Sequence, residues 1–148
     1  MMIEELLNKP CWIVDILPEQ APPERGRQYR RFEEYWLQEP RRSALRRRFA
    51  DILMKLSCYG GLRVCTPDES RVWEDPEPMQ LVSLLTDQEL DCLILLEGGR
   101  CLITVYRSDT YMTVYAPSGR LLERLKALAA SEGLFCWQPP QEAGTGVS

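Results

Sequence analysis

Thiols, carboxylates and guanidinium groups are the reactive side chains of this chain, and histidine, the frequent partner of all three, is absent. Histidine is the side chain whose ordinary pKa lies near neutrality, so it carries much of biological proton transfer. Its absence removes Ser-His-Asp and Cys-His nucleophiles, and zinc sites built on imidazole. Six cysteines remain: Cys11, Cys58, Cys65, Cys92, Cys101 and Cys136. No two are spaced C-x-x-C, and most sit in apolar runs, such as Cys92 before Leu93 and Cys136 between Phe135 and Trp137. That context predicts small core side chains in a reducing compartment rather than disulfides, a reactive thiolate or a sulfur-held metal.

Hard oxygen ligands gather only at Asp68, Glu69, Glu74, Asp75 and Glu77. Their spacing matches no calcium loop, and Pro67, Pro76 and Pro78 read as a stiff, solvated connector, so neither metal nor cofactor is expected. Gly60-Gly61 and Gly98-Gly99 are isolated pairs, without the spaced glycines of a phosphate-binding loop or a nucleophile elbow.

Charge is distributed unevenly. From Arg25 to Arg48 nine arginines face three glutamates, a local charge of +6, whereas Asp68 to Asp91 holds eight acids and one arginine, a local charge of −7. Arg41, Arg42, Arg46, Arg47 and Arg48 could bind a polyanion or nucleic acid, because guanidinium groups grip phosphates bidentately. The overall charge of −4 argues the other way. A solvated helix face, paired with Glu33, Glu34, Glu39 or the acidic loop, is the simpler expectation. A ligand or partner face is the reading open to Tyr106, Tyr111 and Tyr115, with Thr104 and Thr113, and to Trp73. The same aromatics are good strand formers that overlying helices would cover.

The elements that must position these groups follow from apolar periodicity. Residues 3–8 read as a short helix, and Cys11 to Leu17 as a largely buried strand with Asp15 its one polar member. Such an acid more often ends a strand or bonds the backbone than acts in catalysis. After a proline-rich loop, Tyr29, Phe32 and Trp36 recur at helical spacing over 28–38 and are expected to turn inward. Leu45, Phe49, Ile52, Leu53 and Leu56 then make the clearest apolar stripe, with Arg46, Arg47, Asp51 and Lys55 covering the rest. A short strand is expected at 62–65, a surface excursion at 67–78 and a helix at 79–86. Residues 90–97 and 100–107 read as a hairpin turned by Gly98-Gly99, and 111–115 as a third strand of the meander. A helix from about 119 to Gly133 and a last strand at 134–137 complete the pattern.

The order β-α-α-β-α-β-β-β-α-β predicts an α+β fold, one domain over 1–138, with helices on a mixed or mostly antiparallel sheet of about five to six strands. The tail 139–148 is expected to be disordered. The densest apolar run, Cys92 to Leu96, is strand-sized, and Glu4 and Glu5 stand where a signal peptide would be basic, so the cytoplasm is the expected location. Together these features favour a non-catalytic protein–protein interaction module, whether regulatory, adaptor or self-associating. The alternative is a polyanion-binding domain using the arginine segment. An enzyme built on carboxylate or thiolate chemistry stands behind both.

Overall fold

The computed structural model describes residues 3–140, so the expectation for the tail lies, from residue 141 on, outside the described residues. Five helices, α1 (Ile3–Leu7), α2 (Gly26–Trp36), α3 (Arg41–Leu56), α4 (Pro78–Leu85) and α5 (Gly119–Ser131), surround one sheet. Its strands are β1 (Cys11–Asp15), β2 (Arg63–Cys65), β3 (Val72–Glu74), β4 (Cys92–Leu96), β5 (Cys101–Val105), β6 (Tyr111–Tyr115) and β7 (Phe135–Trp137). They lie in the order β3-β2-β4-β5-β6-β1-β7, and every neighbouring pair is antiparallel. The α+β class is as expected, but seven strands exceed the expected five or six. The extra one is β3, which pairs with β2 at one edge inside the proline-rich acidic segment.

Among the described residues no helix is long and apolar enough to cross a membrane. The hairpin between β4 and β5 is also wider than expected. Leu96 pairs with Cys101, so the connection runs from Glu97 to Arg100, with Glu97, Gly98 and Gly99 all at positive φ. Two glycines thus serve a longer loop rather than a two-residue primed turn.

One face of the sheet carries the main core. Val64, Cys92, Ile94, Cys101, Ile103, Val105, Met112, Val114 and Val14 meet Leu45, Phe49, Ile52, Leu53 and Leu56 of α3, with Leu81, Leu84 and Leu85 of α4 and Leu121, Leu125 and Ala129 of α5. The α3 stripe is therefore the one its 3.6-residue period indicates. Helix α5 starts at the cap Ser118, whose Oγ accepts from Leu121 N–H at 3.1 Å. It ends at Gly133, where φ is 75° and Leu134 N–H reaches back to the Ala129 carbonyl at 2.8 Å.

The opposite face is covered more thinly. Leu6 of α1 is fully buried on it against Cys65, Leu93 and Leu102. Further along, over β6, β1 and β7, the proline-rich loop and the start of α2 border a cleft above the strands. No residue of α2 is fully buried; Tyr29, Phe32 and Trp36 are half-buried, less enclosed than their spacing suggests.

Candidate functional site

The thinly covered end of the sheet holds a cleft of about 490 Å³. Strand alternation decides what forms its floor, because successive side chains point to opposite faces. Cys11, Ile13 and Asp15 of β1 stand directly opposite Tyr115, Thr113 and Tyr111 of β6, so all six share this face. On the other side Ile13 pairs with Trp137 and Asp15 with Phe135 of β7. Leu17, Glu19, Gln20, Ala21, Pro22 and Pro23 make one wall, and Tyr29 closes it from α2. The Trp137 indole N–H donates to the Leu17 carbonyl at 3.0 Å, fastening the start of the loop to the edge strand.

Asp15 is the chemically distinctive member. It is only 3% exposed, and one of its carboxylate oxygens accepts from Ile16 N–H at 2.7 Å. Burial, partly offset by hydrogen bonds from the neighbouring backbone, pushes its pKa up to about 6. Tyr111 is pushed up to about 12, first by burial and then by the charges of Asp109, Glu33 and Asp15, so it stays a phenol at neutral pH. Burial raises Tyr29 and Tyr115 as well. The cleft thus combines an acid titrating near neutrality with phenolic hydroxyls and ring faces. Sites of this build, apolar with a few convergent polar groups, are typical of ligand binding.

Of the aromatics expected to form a face, the structure brings Tyr111 and Tyr115 together here but not the other two. Tyr106 is half-buried against the cluster under α1, which Tyr115 also touches, and does not line the cleft; Trp73 packs on the main core with Arg71 4.8 Å from its ring. Tyr29 and Trp137 complete the cleft without having been singled out. Their signal, an aromatic beside a proline-rich loop and one in the last strand, could not specify a shared cavity.

The arginine segment is largely occupied from within. Arg46 is 3% exposed, not on a solvated face; its guanidinium donates to the carbonyl of Leu85, at the end of α4, and to that of Leu90 at 2.7 Å. Arg42 contacts Glu89 at 2.8 Å and Arg47 contacts Asp51 at 3.1 Å. Arg41 donates to the Tyr35 carbonyl and lies 3.6 Å over the Tyr35 ring. Arg48 is half-buried on the same helix. The acids of the 67–78 segment bind nearby groups instead: Asp68 binds Thr66 and Ser70, Asp75 accepts from Leu62 N–H at 2.8 Å, and Glu74 pairs with Arg63 of β2 at 2.6 Å.

A second, wider bowl of about 810 Å³ lies between the 60–61 and 97–100 turns. Its charged groups are mostly engaged, Arg63 with Glu74, Arg124 over the Tyr59 ring and Glu97 with Ser118. Three enclosed thiols offer little nucleophilic character: burial pushes Cys92 and Cys136 up to about 11 and Cys101 up to about 12. Among the described residues no group of three acids or thiols converges as a metal site would. No protein-family model, curated protein or solved structure matches the chain.

Proposed function

We propose that the protein is a non-catalytic interaction module of the cytoplasm that receives a segment of a protein partner, or of a second copy, in the Tyr29–Tyr111–Tyr115 cleft. One observation carries this reading: over β6, β1 and β7 the face opposite α3, α4 and α5 is a concave surface lined by Tyr29, Tyr111, Tyr115 and Trp137. Aromatic side chains with polar tips are the residues that interfaces favour. The cleft offers binding groups but no nucleophile beside a base, which is why interaction rather than catalysis is the stronger reading.

A photoreactive residue placed at Gln20, on the exposed rim of the cleft, tests this in cells producing the protein. The expected result is a discrete adduct that disappears when Tyr111 and Tyr115 are both changed to Ser. The same group placed at exposed Arg47, on α3, should give no such adduct. An adduct of twice the chain's mass would identify the partner as a second copy. Equal adducts from both positions, or an adduct indifferent to the two tyrosines, would defeat the proposal.

Polyanion binding through Arg41, Arg42, Arg46, Arg47 and Arg48 is the weaker reading, since four of the five already have partners within the chain. It would require affinity for nucleic acid that falls steeply with salt.

A further inference from the structure

We infer that the group received by this cleft is an organic cation, an alkylammonium or guanidinium head on an apolar stem. The inference rests on the cleft being a binding site, as proposed above, and adds what enters it.

Two acids, Asp15 and Glu19, line the cleft, and among the described lining residues there is no Lys or Arg. Around Asp15 the cleft lining contributes Glu19 from the loop, Tyr29 from α2 and Tyr111 from β6, and the carboxylates of Glu33 and Asp109 lie near those two tyrosines. Strand β7 contributes only Phe135 and Trp137. Not one of these is cationic. Arg25 and Arg27, the chain neighbours of the lining Gly26, are exposed and do not line the cleft, and Lys126 lies 4.6 Å over the Trp12 ring on the opposite face.

Three guests can be compared. An anion would meet Asp15 and Glu19 and the negative faces of the rings. A neutral apolar group would fill the space but leave the Asp15 carboxylate desolvated without a counter-charge, an unfavourable state for a buried ion. A cation would meet both requirements. Its charge would offset Asp15, and its alkyl stem or flat guanidinium would lie on Tyr29, Tyr111, Tyr115 and Trp137, whose ring faces attract cations. A cleft of about 490 Å³ holds such a side chain with room for the atoms attached to it.

The test follows the Trp137 indole N–H and the Tyr111 and Thr113 amides by NMR in the intact protein. Three probes are titrated: choline, its uncharged isostere 3,3-dimethyl-1-butanol, and arginine blocked at both ends. Choline and blocked arginine should shift these signals, with the isostere weaker by at least about threefold, the low range of a cation–π contact joined to a charge pair. Tighter binding of blocked arginine would assign the cation to a partner's basic side chain, and tighter binding of choline to a free quaternary amine.

Because Asp15 is ionised only above its raised pKa, affinity for either cation should fall about tenfold from pH 7.5 to pH 5 as the competent fraction shrinks. Asp15→Asn should abolish that pH dependence and the preference over the isostere, and Tyr111→Leu should weaken choline more than the isostere. Equal binding of choline and the isostere would overturn the cation while leaving the cleft a binding site. If no probe moved the cleft signals, both the cation and the cleft reading would fall.

Discussion

At the residue scale Asp15 sets a pH dependence whose sign can be derived. Its unfolded pKa is about 3.9, and in the fold burial lifts it to about 6. Between those values the folded protein binds more protons than the unfolded chain, so stability falls as pH rises and levels off above about pH 6. The ionised carboxylate is thus kept at a loss in stability. Asp15→Asn should remove this contribution. Relative to wild type, the variant should gain roughly 1–3 kcal/mol between pH 4 and pH 7.5, read from urea denaturation at each pH. A wild-type–variant difference that stays constant with pH would show that Asp15 titrates like an exposed acid. Asp15 was visible in the sequence as the one polar residue of an apolar strand, and it does end that strand and accept a backbone hydrogen bond. Its neighbours in the cleft were not visible. Tyr29, Asp15 and Trp137 are far apart in the chain, and only the antiparallel register of β6, β1 and β7 brings their faces together.

At the element scale α3 shows both how far periodicity reaches and where residue type misleads. Its apolar stripe, from Leu45 to Leu56, could be read directly, and it is buried as read. Arg46 was assigned to the solvated side because of its charge, yet it stands three, four and seven residues before Phe49, Ala50 and Leu53, which puts it on the buried stripe. There it satisfies the carbonyls of Leu85 and Leu90 and joins α3 to the end of α4. Arg46→Ala should therefore destabilise by about 2–4 kcal/mol in urea unfolding, since two enclosed carbonyls lose a charged donor. Arg47→Ala, one residue on but exposed, should lie within about 0.5 kcal/mol of wild type. Equal small effects would mean that the two carbonyls find other partners. Ser118→Ala should cost about 1 kcal/mol through the lost cap of α5, checked in the same way. Strand β3 escaped notice for a different reason. Three residues between prolines and acids carry too short a pattern, and their strand identity comes from pairing with β2.

At the scale of the whole molecule the sheet separates two layers of unequal strength. On one face α3, α4 and α5 contribute many fully buried side chains; on the other α1 is five residues long and buries only Leu6. Periodicity indicated that helices pack on a sheet, but not on which face each lies, because that depends on crossovers between distant strands. The thiols report on the two layers separately. Cys92 and Cys101 lie in the core under the long helices, Cys65 lies with Leu6 under α1, and Cys58 is exposed. A five-residue helix held by one buried side chain should detach far more often than the whole fold opens. Among Cys58, Cys65, Cys92 and Cys101, alkylation followed by mass spectrometry should accordingly modify Cys58 first, Cys65 next, and Cys92 and Cys101 last. Leu6→Ala should speed modification of Cys65 by at least about tenfold, because removing a buried leucine side chain weakens the docking of α1. The rates at Cys92 and Cys101 should change much less. If all three buried thiols accelerated together, α1 would open only with the entire fold, and the thin layer would be as integral to the core as the thick one.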